Sequence, residues 1–385
     1  MIPFEFATAN RIVFGEGRSA SVPELAAGFG DRVLVVAASD PARAEWLVDA
    51  LQMRHVDVVL LCVDGEPDVA FAAGGADLAR RRNIDAVVGL GGGSVLDAAK
   101  AIAALATNAG DPMDYLEVVG LGRPLTAAPL PLIAVPTTAG TGSEVTRNAV
   151  LTVSSHGVKA SLRSPLMLPR IAVVDPLLTR DLPPPITAST GLDALTQLIE
   201  PFVAVKANPM TDALCREGMA RVARSLRRAY EDGRNVDARA DMALASLFGG
   251  LAIANAGLGA VHGLAAPIGG MRHAPHGAVC AALLPHVMTA NLRALHAAKG
   301  GDGAFARMGE VGRILTGRAD AGADDAVAWV VDTLRRLEVQ PLSALGVTST
   351  DLPAIAEQAQ RSSSMKGNPV VLTADDLVAI LTAAL

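Results

Sequence analysis

Three side chains in the second half of the sequence could together hold a divalent cation. Asp193 lies in a Gly-Leu-Asp-Ala-Leu segment, and His262 and His276 follow it beside small residues that leave room next to each ring. One carboxylate and two imidazoles are a common ligand set for zinc or iron, and an open fourth position would allow catalysis. A lone histidine is more often structural, so this hypothesis requires a fold that brings the three together.

Gln197 follows Asp193 by four residues, which places both side chains on one face of a helix. The neighbouring Leu192, Leu195 and Leu198 are apolar, so this helix is expected to be largely buried. A buried aspartate needs a partner because an unpaired charge is costly away from water. Gln197 is therefore a candidate partner or fourth ligand.

A glycine-rich turn, Gly-Gly-Gly-Ser at 91–94, is the most distinctive stretch of the first half. Residues 84–90 are apolar and valine-rich, which predicts a buried strand, and the alanine-rich residues 95–106 predict a helix. A strand, a glycine turn and a helix together point free N–H groups and the positive helix end at a phosphate. The turn is therefore predicted to bind a nucleotide or another phosphate.

The G-x-G-x-x-G turn common in dinucleotide-binding folds is absent after the first strong strand, 32–37. Ser39 and Asp40 stand there instead. A carboxylate at this point would favour NAD by binding the ribose 2′-hydroxyl, but the first residues after the strand are small. The sequence leaves NAD and NADP both open.

A loop at 136–144 follows the strand predicted at 130–135 and contains three threonines, a serine and two glycines. Such a loop supplies many hydroxyl and N–H donors. Open α/β sheets bind ligands at the carboxyl ends of their strands, so this loop is predicted to contact a ligand.

Composition limits the class of protein. The 385 residues are 51% apolar, 3% aromatic and carry a net charge of −6. This length suggests two domains, and the absence of a basic stripe argues against a nucleic-acid partner. Apolar runs end before the roughly 20 residues of a membrane span, and no signal-peptide pattern opens the chain. Isolated Cys62, Cys215 and Cys280 are expected to be buried thiols in a reducing cytosol.

Strand and helix patterns alternate over 1–182, which predicts a Rossmann-like parallel-sheet domain. After the proline run 183–185 the pattern becomes helical, which predicts an all-helical domain over 183–385. The predicted strands are 4–8, 11–14, 32–37, 56–63, 84–90, 130–135, 149–153, 158–162 and 171–174, with helices at 19–28, 41–53, 69–82 and 95–106. The predicted helices of the second domain are 187–204, 208–231, 236–256, 259–269, 277–298, 303–316, 322–337, 350–359 and 373–384.

The motifs at 91–97, 136–144, 191–195 and 275–277, with His262, resemble the iron-containing (group III) alcohol dehydrogenases over essentially the whole chain. The resemblance implies a dehydroquinate-synthase-like architecture, with a dinucleotide-binding α/β domain, a helical domain and a metal between them. It also implies that NAD or NADP exchanges a hydride with a primary alcohol or aldehyde activated by a divalent metal, Fe²⁺ or Zn²⁺. Family members form homodimers or larger assemblies, and a cytoplasmic enzyme is expected.

When the family's functional residues are matched to this sequence position by position, the resemblance implies a cofactor site and a metal site. The residues predicted to bind the cofactor are Ser39, Gly92, Gly93, Ser94, Asp97, Thr137, Thr138, Thr141 and Lys159. The predicted metal ligands are Asp193, His262, His276 and, where the family has a histidine, Gln197. A neutral amide is a weaker ligand than imidazole, so the metal could be kept, lost on purification, exchanged for a harder ion or dispensed with.

A second departure from the family is Ala266, where many members have a histidine near the nicotinamide. His273 is the predicted replacement as proton relay. Three alternative functions remain open at this point. They are a maleylacetate-reductase-like enzyme that works without metal, a dehydroquinate-synthase-like lyase, and a cofactor-binding protein with a degenerate metal site.

Overall fold

The computed structural model describes residues 3–297 and 302–385. The chain forms two compact units. One contains Thr8–Thr138 and Gly142–Thr179. The other contains Arg180–Leu385 together with Ala139–Thr141 and the residues up to Ala7.

The first unit is built on a six-stranded sheet in which every neighbouring pair is parallel. The strands of the unit are β1 (Arg11–Phe14), β2 (Arg32–Ala38), β3 (Asp57–Val63), β4 (Ala86–Gly91), β5 (Leu132–Pro136), β6 (Asn148–Val153), β7 (Val158–Arg163) and β8 (Ile171–Val174). The order across the sheet is β1-β8-β5-β4-β2-β3, and β6 and β7 form a separate antiparallel hairpin. The predicted Rossmann-like fold class is confirmed.

Four helices accompany these strands. They are α1 (Val22–Ala27), α2 (Glu45–Gln52), α3 (Val69–Arg81) and α4 (Gly93–Thr107). Strands β4, β5 and β8 are buried at every residue, as expected for a parallel sheet with both faces covered. Helix α4 approaches the sheet closely, because a Cβ at Gly89 would lie 2.9 Å from the Cβ of Ala99.

One predicted strand and the beginnings of two predicted helices differ from the structure. The predicted strand at 4–8 does not form. Instead, the Asn255 side chain accepts a hydrogen bond from the Ala7 N–H and donates one to the Ala7 C=O, so these backbone groups are satisfied without a neighbouring strand. The helices predicted over 19–28 and 41–53 each begin as a 3₁₀ turn, Arg18–Ser21 and Pro41–Ala44, before α1 and α2.

The second unit is helical, as predicted. Its α-helices within the described residues are α5 (Pro184–Val203), α6 (Pro209–Glu231), α7 (Val236–Ala256), α8 (Ala260–Arg272), α9 (His276–Ala297), α10 (Asp302–Thr316), α11 (Ala323–Arg336), α12 (Leu352–Arg361) and α13 (Ala374–Ala384). Residue 298, the predicted end of one helix, lies outside the described residues. Helix α5 is central, and its contact with α6 is so close that a Cβ at Gly218 would meet the Leu198 side chain at 2.4 Å.

The three cysteines and the apolar helix α9 differ in how deeply they are buried. Cys215 and Cys280 are buried as expected, whereas Cys62 is half-buried. Helix α9 is long and apolar enough to cross a membrane, and α7 with α8 would also qualify as a pair bent by 99°. However, 67% of the apolar window of α9 is buried inside the fold, which is equally typical of a core helix.

Candidate metal and cofactor sites

Helices α5, α8 and α9 bring a carboxylate, two imidazoles and a thiol together. One donor atom from each of Asp193, His262, His276 and Cys280 lies within 4.8 Å of the others. Asp193 Oδ1 is 3.5 Å from His262 Nε2 and 3.7 Å from His276 Nε2. The sequence prediction named the first three residues, and the structure adds Cys280.

The local structure explains how these donors meet. Asp193 lies in the buried middle of α5 and is 1% exposed. His262 lies in the first turn of α8, and His276 begins α9. Cys280 follows His276 by one helical turn, so both side chains leave α9 on the same side. This four-residue spacing was the sequence signal that could have identified Cys280.

Glu200 fixes the orientation of the His262 ring. Its Oε2 lies 2.6 Å from His262 Nδ1, and its Oε1 accepts a hydrogen bond from the Val261 N–H at 2.7 Å. The other ring nitrogen, Nε2, is thereby directed towards Asp193. A carboxylate that holds the far nitrogen is the usual support for a ligating histidine. Glu200 is not among the residues predicted from the sequence, although it lies seven residues, or two helical turns, after Asp193.

The cluster attracts positive charge. Burial on its own raises the pKa of Asp193, but the neighbouring His276 and His262 lower it below its usual value. Burial likewise opposes charge on His262, yet Cys280 and Glu200 raise the pKa of this imidazole well above 6.5. The pKa of His276 rises to about 8, chiefly because of Cys280. Protons on the imidazoles or a bound cation can supply the positive charge.

The hydrogen bonding of Asp193 indicates whether a cation fits these residues. Its Oδ1 is buried and accepts no hydrogen bond from the residues that the structure describes, although it is the oxygen that faces both imidazoles. Leaving a buried acceptor unsatisfied costs roughly 1–3 kcal/mol, and more when it is charged. A divalent cation would remove this cost, so the residues fit a metal.

Gln197 contacts the cluster through its amide nitrogen. Nε2 donates to Asp193 Oδ2 at 3.0 Å and approaches the Gly140 carbonyl oxygen at 3.4 Å. The carboxylate fixes this orientation because it would repel the amide oxygen. The remaining Oε1 is buried and has no hydrogen-bond partner in the described part of the chain. Gln197 therefore supports Asp193, and its role as a ligand stays a prediction.

His273 ends α8 and is exposed. Its φ of 51° is left-handed, and its backbone N–H donates to the Gly269 carbonyl at 3.1 Å. It lies three residues before His276 in the turn that leads into α9. The predicted role as a proton relay remains a prediction.

The first unit contains the predicted strand, glycine turn and helix. Gly91 ends β4, Gly92 caps α4, and Gly93 is the first helical residue. Gly91 cannot carry a side chain, because its Cβ would lie 2.5 Å from the Val95 side chain. The Thr137 N–H donates to the Gly91 carbonyl at 3.0 Å, so the start of the threonine loop lies beside this turn.

Asp97 is bonded within the protein. Its Oδ1 accepts from Ser143 Oγ at 2.7 Å and lies 3.1 Å from Lys100 Nζ, while its Oδ2 accepts from the Val150 N–H. The buried Lys100 also donates to the Thr146 hydroxyl. Asp97 therefore anchors the chain after the threonine loop to α4, and its predicted contact with the cofactor is untested.

The other predicted cofactor residues lie in varied surroundings. Ser39 is exposed directly after β2, and Lys159 Nζ on β7 is 2.6 Å from Glu66 Oε1. Among the predicted cofactor residues, the half-buried ones are Gly92, Gly93, Ser94, Asp97, Thr137, Thr138, Thr141 and Lys159. The positive charge of Lys159 thus already has a carboxylate beside it, and its proposed contact with a ribose remains a prediction.

Glu144 gives this region a testable dependence on pH. It is 2% exposed, and burial raises its pKa from 4.5 to about 7. The folded state therefore binds a proton more readily than the unfolded state, so the free energy of unfolding falls as pH rises from about 4.5 to 7. We expect Glu144→Gln to remove this fall and to stabilise the protein at pH 8 by about 3 kcal/mol. Urea unfolding of wild type and of Glu144→Gln at pH 4.5 and pH 8 measures the free energy of unfolding at each pH.

The exposed Glu16 provides the control, since Glu16→Gln should leave the pH profile unchanged. An unaltered profile in Glu144→Gln would show that burial of this carboxyl group does not set the dependence.

The chain is similar to known proteins in sequence and in structure. Residues 9–176 match the family described as iron-containing alcohol dehydrogenase, and residues 187–385 match the C-terminal part of that family. Alcohol dehydrogenase 4 of Saccharomyces cerevisiae is 39% identical over 83% of this chain and 80% of its own length. A solved 1,3-propanediol oxidoreductase has a TM-score of 0.91 and 33% identity over all of both chains. Sulfoacetaldehyde reductase from Bifidobacterium kashiwanohense, solved with NAD⁺, has a TM-score of 0.87 and 30% identity over 100% of this chain and 99% of its own.

The parallel α/β unit, the helical unit and the metal-binding cluster define an oxidoreductase of the alcohol dehydrogenase type. The chain belongs to the iron-containing alcohol dehydrogenase family. The resemblance stated from the sequence, and the enzyme class that it implied, are thereby confirmed.

Proposed function

We propose that the chain is an NAD(P)-dependent alcohol dehydrogenase or aldehyde reductase that uses a divalent metal. Its substrate would be a primary alcohol, an aldehyde or a related small carbonyl compound. The observation that carries the proposal is the buried Asp193 Oδ1, which faces two imidazoles and, within residues 3–297 and 302–385, accepts no hydrogen bond. Asp193, His262 and His276 would hold the cation, with Gln197 beside them.

The protein side chains have separate tasks in this reaction. A bound divalent cation supplies Lewis acidity, which polarises a carbonyl group or lowers the pKa of an alcohol. Asp193 and His262 are almost completely buried, so they keep water away from one side of the reacting oxygen. The His276 side chain is 37% exposed, which makes its side the route for the substrate. Glu200 keeps the His262 ring in place throughout.

The glycine turn would hold the cofactor. The 15-residue helix α4 begins at this turn, with Gly92 as its N-cap and Gly93 and Ser94 as its first residues. The free N–H groups and the positive end of the helix favour a pyrophosphate. A bound nicotinamide supplies or accepts the hydride. The NAD⁺ bound by the sulfoacetaldehyde reductase supports this cofactor class. The exposed His273 would exchange the proton with solvent.

Metal content and turnover, measured on one sample, test the proposal. The protein is purified without oxygen or chelators, and oxidation of NADH and of NADPH is followed with a short aldehyde. We expect close to one metal per chain and loss of turnover on chelation. Turnover without metal would favour a maleylacetate-reductase-like enzyme instead, and neither metal nor turnover would favour a cofactor-binding protein.

We also infer a cytoplasmic homodimer or larger homo-oligomer. The support is family membership and the free thiols of Cys62, Cys215 and Cys280, which suit a reducing compartment. Light scattering of the purified protein measures the number of chains.

A further inference from the structure

The thiol of Cys280 has no role in the ligand set that the sequence predicted. We propose that Cys280, as a thiolate, is the fourth protein ligand of the cation and replaces the histidine that the family has at position 197. The inference rests on the proposed metal-dependent function and concerns the same site. With this ligand set, the chain would bind zinc in preference to iron.

The donor distances fit a tetrahedral centre. Cys280 Sγ lies 3.6 Å from His276 Nε2, and the two imidazole nitrogens lie 3.5 and 3.7 Å from Asp193 Oδ1. A tetrahedral zinc ion with bonds of about 2.0–2.3 Å keeps its donor atoms about 3.3–3.6 Å apart. Three of the six donor–donor distances therefore already lie near this range, and all six are within 4.8 Å.

The surroundings of Cys280 favour a ligand over a packing residue. The side chain is fully buried, yet its sulfur lies beside an imidazole nitrogen. Cys215 on α6 is equally buried and belongs to the same apolar cluster, where burial strongly raises the pKa of its thiol. Among the described residues, however, it is Cys280 and not Cys215 that lies with Asp193, His262 and His276. The two cysteines thus share burial but differ in their neighbours, which makes Cys215 a matched control.

Gln197 leaves the fourth position to Cys280. Its amide nitrogen, which cannot bind a cation, faces Asp193 and the Gly140 carbonyl. Gln197 is accordingly a positioning residue that holds the carboxylate of Asp193. The direct protein ligands are then one oxygen, two nitrogens and one sulfur, and the substrate oxygen would enter as a fifth ligand, an expansion that zinc accepts.

A thiolate changes which metal the site prefers. Sulfur is a soft donor that suits zinc and cobalt, and zinc accepts a tetrahedral set of mixed donors. Binding breaks the S–H bond and releases its proton to solvent. The chain is therefore expected to bind zinc more tightly than iron(II) in direct competition.

The experiment reads the sulfur–metal bond itself. Metal-depleted full-length protein is loaded with Co²⁺ or with Zn²⁺. We expect a thiolate-to-cobalt charge-transfer band in the near ultraviolet and, by zinc X-ray absorption, one sulfur at about 2.3 Å. Cys280→Ser should lose both signals, while Cys215→Ser should keep both. Zinc affinity should fall in Cys280→Ser by more than the roughly 10–100-fold typical of losing an outer support.

The possible failures are distinguishable. Wild-type protein that binds cobalt and zinc through nitrogen and oxygen alone would overturn the role of Cys280 and leave the metal-dependent function standing. Wild-type protein that binds neither ion would overturn both proposals. Equal affinity for zinc and iron(II) would overturn the stated preference. The wild-type spectra decide the main point even if Cys280→Ser fails to fold.

Discussion

Asp193→Asn is expected to abolish metal retention and to lower kcat/KM for an aldehyde by about 10³-fold or more. The Asp193 carboxylate lies 3.5 Å from His262 Nε2 and 3.7 Å from His276 Nε2, and an amide would put a neutral group there. Lewis-acid activation supplies several kcal/mol, and each 1.36 kcal/mol changes a rate tenfold. Metal analysis and steady-state kinetics on the same sample measure the two losses.

Asp241→Asn is the matched control for this variant. Asp241 is an aspartate of α7 whose carboxylate pairs with Arg221 and Arg224, away from the metal cluster. This change should lower stability and leave the metal content per folded chain unaltered. If Asp193→Asn keeps its metal and most of its activity, Asp193 is not a ligand and the proposed site is wrong.

Gly92→Asp is expected to weaken cofactor binding by about 100-fold, or ~2.7 kcal/mol, without loss of metal. Gly92 caps α4 with φ −75° and ψ −173°, which an aspartate adopts readily. An aspartate there would bind the free N–H groups of the helix and place its negative charge where the pyrophosphate is proposed to lie. Its Cβ would contact Thr138 at 3.4 Å, so the fold should tolerate it. Titration of NADH fluorescence measures the affinity.

Gly92→Asn separates charge from size. Asparagine has nearly the same shape and capping ability as aspartate but no charge, so it should weaken binding far less. If wild type and Gly92→Asp bound the cofactor with equal affinity, the pyrophosphate would not bind at this turn.

Local patterns predicted most of the fold. Alanine- and leucine-rich segments without strand signals marked the helices of the second unit, because helix propensity sums over many residues. The glycine turn at 91–94 was recognisable because its flanking strand and helix are both strongly patterned. The strand predicted at 4–8 failed because a tertiary partner, Asn255, satisfies the Ala7 backbone from 248 residues away.

The candidate site was predictable only in part. Asp193, His262 and His276 were predicted from residue type and resemblance. Cys280 was not predicted, although its spacing of four residues from His276 was a signal, because the donors on three helices meet only in the folded chain. Glu200 was missed for the same reason. Asp97 was assigned to the cofactor, and no sequence pattern reveals that Lys100 and Ser143 already bind its carboxylate.

The spread of the donors over α5, α8 and α9 has a thermodynamic consequence. A cation that binds only the assembled cluster stabilises the folded chain by RT ln(1 + [M]/Kd), about 2.7 kcal/mol when free metal is 100 times Kd. The melting temperature of the protein then depends on the free metal concentration of its buffer. Metal supply would thus govern how long the chain survives in a cell as well as how fast it works.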